Sequence, residues 1–248
     1  MLPSQEFLRA PCGFYSITAR TSDRYIKAIQ NVEATASLPV TQVESSSSVG
    51  APRPTIEASI RGEIINQCLI STSKTCKLLD CSFSNGNKCD NPVEVIKVFQ
   101  DPVFCLQPSG DSFTRRSTFD SILAGCILVF FHLGSAYAQY TWYFSKNYTK
   151  YSVFISGDSI KDGRVNISTT LLGNSEDEIL AMREEVIRLI PKIVYGDLEE
   201  DAFSIAVGGI LQRVDNVRRT IKEGLDPSIG WKSKLSGTGK HHEFDQFF

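Results

Sequence analysis

The segment Leu106-Gln107-Pro108-Ser109-Gly110-Asp111-Ser112-Phe113-Thr114-Arg115-Arg116 brings together the residue types that hold a phosphate. An apolar stretch runs into it and a helical pattern runs out of it, so the loop joins a buried strand to a helix N-terminus. A helix start offers free N–H groups and the positive end of a dipole to an anion. Gly110 lets the backbone approach a ligand closely. Arg115 and Arg116 add forked, permanently charged donors suited to a diphosphate. A turn later, Asp120 is placed to accept hydrogen bonds from the hydroxyls of a ribose. The same residues also fit an ordinary solvated helix start, with Asp111 as the cap and the arginines facing water.

Two further loops point at the same place. His132-Leu133-Gly134-Ser135-Ala136-Tyr137 follows an unbroken apolar run, and a histidine there fits two roles, facing the ligand or, the more usual one, a structural part of the strand end. Ala51-Pro52-Arg53-Pro54 precedes a helical pattern, and Arg53 would reach a phosphate. Tyr137, Tyr140 and Trp142 cluster near His132, where core packing and stacking on a sugar both suit them. The chain has no Asp-x-Asp triplet, no GxSxG, no HExxH and no P-loop, and His241-His242 lack the further ligands of a metal site.

The elements that must position these loops alternate between strand and helix. Residues 56–69 carry Ile56, Ile60, Ile64, Ile65 and Leu69 at helical spacing. Residues 75–81 read as a strand and 84–87 as a turn. Asn91-Pro92 opens a helix to about 100. Strands follow at 103–106, 126–131 and 152–155, with a helix over 114–124 closed by Gly125. Two longer helices are expected over 175–194 and 198–222. This order specifies an α/β domain, a Rossmann-like doubly wound parallel sheet with C-terminal helices. The division expected is residues 1–49 as a divergent N-terminal segment or linker, 50–223 as the nucleotide-sugar-binding domain and 224–248 as a polar tail. Ser45 to Ser48 in particular read as linker or exposed loop.

Bulk properties narrow the function. The 248 residues are 42% hydrophobic and 22% charged, a globular composition, with a formal net charge of -2. That balance excludes a general nucleic-acid-binding surface. The most apolar run, residues 122–131, is too short to cross a bilayer, and no leader or anchor is visible. Seven cysteines include no CxxC pair. Cys68, Cys76, Cys81 and Cys89 fit either a disulfide framework or reduced thiols, whereas Cys105 and Cys126 read as core residues. Asn147-Tyr148-Thr149 and Asn166-Ile167-Ser168 are glycosylation sequons.

The stretch 103–137, VFCLQPSGDSFTRRSTFDSILAGCILVFFHLGSAY, closely resembles the core of plant exostosin-type glycosyltransferases, above all the xyloglucan galactosyltransferases. Gly50-Ala51-Pro52-Arg53-Pro54, Ser59-Ile60-Arg61-Gly62, Cys76-Lys77-Leu78-Leu79-Asp80-Cys81 and Lys146-Asn147-Tyr148-Thr149 match in the same order, so the resemblance spans about 50–222. It implies the C-terminal half of a GT-B glycosyltransferase, the half that binds the nucleotide sugar. Family members are inverting, metal-independent Golgi enzymes, and the xyloglucan branch moves galactose from UDP-galactose to xylose side chains. By resemblance, Arg115 and Arg116 hold the diphosphate, Asp120 the ribose, and Gly110, Asp111 and Ser112 shape the phosphate loop. No cofactor or metal is expected beside the UDP-sugar, and the general base is expected from the acceptor-binding half.

The departures are Leu128, Leu133 and Ser145 where the family has Pro, Tyr143 where it has His, and a serine run in place of an apolar first strand, which should pair poorly. Fewer than 50 residues stand where the family carries an anchor and an acceptor domain. The expectation is a truncated or decayed product, inactive alone. The alternatives are a non-catalytic partner of full-length glycosyltransferases and a chain that does not fold.

Overall fold

The computed structural model describes residues 46–51, 60–71, 76–81, 89, 91–109, 113–137, 139–196 and 200–227. Five parallel strands form one sheet in the order β2-β1-β3-β4-β5. They are β1 (Ser46–Gly50), β2 (Cys76–Asp80), β3 (Phe104–Gln107), β4 (Ile127–Phe130) and β5 (Ser152–Phe154). The helices are α1 (Arg61–Ile70), α2 (Pro92–Gln100), α3 (Arg116–Leu123), α4 (Gly157–Lys161), α5 (Ile167–Leu172), α6 (Glu176–Ile193) and α7 (Ala202–Lys222).

Alternation along the strands builds a core on each face. On β4, Ile127, Val129 and Phe131 point to one side, where Phe104, Leu106, Ile64 of α1, Ile160 of α4 and Leu171 of α5 meet them. Leu128 and Phe130 point to the other, against Ile122 of α3 and Val186 and Leu189 of α6. Val95 and Phe99 of α2 pack on that same side with Val49 and Cys105. The helix α6 serves both cores, giving Ile179 and Met182 to the first and Val186, Leu189 and Ile190 to the second. A sheet covered on both faces by crossover helices is the doubly wound arrangement expected.

The serine run is the main correction. Residues 46–49 are not a linker or exposed loop. Ser46 to Gly50 pair in register with Cys76 to Asp80, and Ser46 to Ser48 pair on the other side with Phe104 to Leu106. Ser47 is fully buried and Ser46, Ser48 and Val49 nearly so. A strand flanked on both sides has its backbone groups satisfied whatever its side chains, and small side chains fit a crowded centre. The Ser47 hydroxyl lies 3.4 Å from Cys105 Sγ. The domain therefore starts at or before Ser46 rather than at 50.

Smaller differences have local causes. On α1, Ile64 and Cys68 face inward with Arg61, whereas Leu69 is exposed, and Ile65 is only half-buried. Ile56 lies outside the described residues. The short helices α4 and α5 leave no sequence signature, being too brief to display a 3.6-residue period. Leu128 is fully buried inside β4. Tyr143 donates its hydroxyl to Ala202 O at 3.1 Å, tying the start of α7 to the core. Tyr137 and Tyr140 are buried, so the aromatic cluster is core; Trp142 is its exposed member.

Among the described residues six cysteines pair: Cys68 with Cys76, Cys81 with Cys89, and Cys105 with Cys126. Cys105 and Cys126 are core residues as expected, but bonded ones, linking β3 to the residue that leads into β4. They close the longest of the three loops, with a separation of 21 residues against 8 for the others. Loop-closure entropy makes that bridge the strongest constraint on the unfolded chain. Replacing Cys105 and Cys126 together by alanine should cost about 3 kcal/mol or more, and more than the same change at Cys81 and Cys89, when unfolding is followed in denaturant.

The N-cap of α7 is Asp201, which accepts from Ser204 N at 2.8 Å and Gly196 N at 3.1 Å. Those backbone donors hold its carboxyl below the usual carboxylate range. A lowered folded pKa means the stabilisation is present above the unfolded value, about 3.9, and is lost as pH falls through the folded one. Asp201→Ala should cost about 1 kcal/mol near neutrality, and the gap to wild type should close as thermal unfolding is repeated below about pH 4.

Candidate functional site

The strand order places a switch point between β1 and β3: the connection from β1 leads to β2 on one side, and the next returns to β3 on the other. Ligands of open parallel sheets bind beyond the carboxyl ends of the strands at such a point. Two guanidinium groups occupy it. Arg115 donates from Nη2 to Val49 O at 2.8 Å and from Nη1 to Pro108 O at 3.0 Å. Arg61 donates from Nε to Ser109 O at 3.0 Å and from Nη1 to Ala51 O at 3.5 Å. Each arginine thus bridges the end of β1 to the end of β3.

The charge there is concentrated. Burial lowers the Arg115 pKa to about 10, with the neighbouring Arg61 acting in the same sense. Arg115 donates to neutral carbonyls, and among the described residues it forms no ion pair with a carboxylate. A half-buried cation beside a second one, pinned by uncharged acceptors, is an attractive position for an anion. The helix α3 starts immediately after Arg115, its N-cap residue, which makes no side-chain capping bond. Its first N–H groups add their dipole to the same place.

The loop between β3 and α3 is held at its two ends by a buried amide. Ser117 Oγ donates to Gln107 Oε1 at 2.7 Å, and Gln107 Nε2 donates to Ser121 Oγ at 2.7 Å. Ser121 Oγ donates in turn to Ser117 O at 2.7 Å. Gln107 ends β3 and Ser117 lies in the first turn of α3, so the loop mouth cannot widen without breaking this network. At the C-terminal side, Gly125 adopts φ 68° and turns the chain into β4.

The expected site residues divide. Arg115 stands at the switch point. Arg116 turns toward the β2–α2 connection, donating to Cys89 O at 3.0 Å, and its Nε lies 3.4 Å from Asp120 Oδ2. Asp120 is buried, and burial pushes its carboxyl above the usual range while Arg116 opposes the rise. Its Oδ2 is shielded from solvent and faces Arg116. His132 caps the turn after β4, accepting from Gly134 N at Nδ1, 3.0 Å. Its ring stacks on Phe113 from the β3–α3 loop, 4.2 Å between centroids and 8° between planes. Arg53, Gly110, Asp111 and Ser112 lie outside the described residues.

Two contributors were missed in the sequence as site residues, Arg61 and Phe113. Arg61 stands on the first turn of α1 among the apolar positions, buried at 8% exposure. A buried arginine on the inward face of an amphipathic helix is the signal that would have found it.

The sequence profile of the Exostosin GT47 domain matches residues 33–171, more than half of the chain. The chain belongs to the exostosin GT47 family. Its GT47 match takes in β1, which supports reading the serine run as domain rather than linker. Among its curated relatives in Arabidopsis thaliana, "Probable xyloglucan galactosyltransferase GT12" is 54% identical over 198 residues, 77% of this chain and 38% of that protein. "Probable xyloglucan galactosyltransferase GT13" is 55% identical over 179 residues, 69% of this chain and 38% of that protein. "Xyloglucan galactosyltransferase MUR3" is 44% identical over 215 residues, 80% of this chain and 34% of that protein. The chain thus spans little more than a third of the length of these relatives. The parallel sheet flanked by helices is consistent with one half of a GT-B member of the GT47 family.

Gln107→Ala should remove the brace at the loop mouth, leaving the Ser117 and Ser121 hydroxyls without the amide and opening a small cavity. The expected loss is about 2 kcal/mol, measured by denaturant unfolding, with increased hydrogen exchange confined to the loop and the first turn of α3.

Proposed function

We propose that this chain is the donor-binding half of an inverting galactosyltransferase that uses UDP-galactose and acts, with an acceptor-binding half, on xyloglucan-type polysaccharide. The observation that carries the reading is the pair of guanidiniums, Arg61 and Arg115, bridging both strand ends at the switch point. The diphosphate lies over this pair and against the start of α3, where five-donor forks match its oxygens. Asp120 supplies a carboxylate one turn further along α3 for ribose hydroxyls, with Arg116 holding it in place. Phe113 stacked on His132 forms an apolar wall beside the loop.

In this reading the protein's share of catalysis is electrostatic. As the bond from galactose C1 to the phosphate oxygen breaks, negative charge accumulates on the leaving UDP, and fixed cations stabilise it more than they stabilise the bound donor. Arg61 and Arg115 provide that charge, so no divalent ion is needed. Deprotonating the acceptor hydroxyl requires a general base, which this reading assigns to the acceptor-binding half. Three disulfides and two sequons fit an oxidising lumen, in line with a Golgi location.

Thermal unfolding of the purified chain with UDP tests the reading. At a free UDP concentration of about 100 Kd the folded state should gain about 2.7 kcal/mol, seen as a higher Tm. EDTA should leave the shift unchanged, rising salt should diminish it, and Arg61→Gln should reduce it while uridine alone produces little. A cooperative transition that UDP does not move would overturn the proposal.

A further inference from the structure

Two disulfides of equal span anchor the two ends of β2. Its first residue, Cys76, is bonded to Cys68 near the end of α1. Cys81, the residue after β2, is bonded to Cys89 ahead of α2. Each bridge closes a separation of 8 residues, so each restricts the unfolded chain alike. Their places in the folded chain differ. Cys68–Cys76 lies at the amino end of the strand, and Cys81–Cys89 at the carboxyl end, on the side where the crevice opens. There Cys81 N donates to Gly50 O at 3.3 Å, one residue beyond the Val49 carbonyl that Arg115 holds. Cys81 and Cys89 both pack against the core of Val49, Val95 and Phe99.

We infer that the Cys81–Cys89 disulfide is a positioning element of the candidate site: it holds the Cys89 carbonyl in place for Arg116 and, through Arg116, keeps the Asp120 carboxylate set for the ribose hydroxyls of the donor. The Cys89 carbonyl accepts from Arg116 Nη2 at 3.0 Å. Arg116 Nε lies 3.4 Å from Asp120 Oδ2, one turn along α3. A guanidinium is a flat, rigid fork, so fixing one N–H restricts where the others point. Burial raises the Asp120 pKa and Arg116 opposes the rise. The carboxylate therefore stays a charged acceptor only while that cation stays beside it. Cys89 belongs to the connection between β2 and α2, and the bridge to Cys81 fastens that connection to the sheet. The ribose part of the inference rests on the donor-binding reading. The mechanical part, from bridge to carbonyl to guanidinium to carboxylate, does not.

Carbon-13 NMR titration of the Asp120 carboxyl in the full chain, followed by ligand binding, tests this. Cys81→Ser with Cys89→Ser should move the Asp120 pKa upward, because Arg116 is no longer held beside it. Cys68→Ser with Cys76→Ser should cost similar stability and leave Asp120 where it was. In Arg116→Met the Asp120 pKa is already raised, and removing Cys81–Cys89 as well should add nothing, as for residues acting in one chain of contacts. Near-UV circular dichroism checks that each variant is folded. If the serine pair at 81 and 89 does not fold, Cys81→Val with Cys89→Ala, which keeps the apolar contact with the core, takes its place. In the variant lacking Cys81–Cys89 the Kd for UDP should rise about tenfold, while the Kd for pyrophosphate, which has no ribose, stays unchanged. An Asp120 pKa that ignores the loss of Cys81–Cys89, or that moves as far on loss of Cys68–Cys76, would overturn the inference. If Asp120 shifts as expected but UDP binds neither wild type nor variant, the bridge's hold on Arg116 stands and the donor-binding reading falls instead.

Discussion

The Arg115 guanidinium is the point on which sheet, loop and site depend. It spans the carboxyl ends of β1 and β3, bonded to Val49 O and Pro108 O. These are the two strands between which the winding reverses. A side chain that crosses the gap fixes its width. Because the group doing so is charged and half-buried, the same contact that closes the fold leaves a positive potential in the crevice. Arg61, reaching the same gap from α1, doubles both effects.

This arrangement is costly for the folded chain, because burial and a neighbouring cation both act against the charge on Arg115. The Gln107–Ser117–Ser121 network closes the loop mouth beside it. The buried disulfide between Cys105 and Cys126 holds the neighbouring strand pair from below. In the proposed reading, rigid support beneath a charged crevice is what preorganised recognition of a diphosphate requires.

Much of this was legible in the sequence. The apolar runs of β3 and β4, the glycine after α3 and the Arg115 loop have local signatures, because a strand buried on both faces and a helix start each leave a composition that reads directly. What failed to read was non-local. The serine strand looked like a linker because polarity signals exposure, yet its backbone pairing with β2 and β3 decides its place. Arg116 and Arg115 looked equivalent as neighbours, but successive helical side chains diverge by about 100°, sending Arg116 to Cys89 and Asp120. Arg61 reaches the site from α1 across 48 residues of sequence, a separation no local pattern reports. The family match to the Exostosin GT47 domain supplied what periodicity lacks, since it joins distant segments in one alignment.

The most direct measurement is hydrogen exchange of the folded chain with and without saturating UDP, read peptide by peptide. If the two guanidiniums form the diphosphate site, protection should rise at the end of β1, through the β3–α3 loop and over the first turns of α1 and α3, and should vanish in Arg115→Met. Protection that is absent, or that appears at the amino ends of the strands or along α7 instead, would contradict the placement of the donor at the switch point.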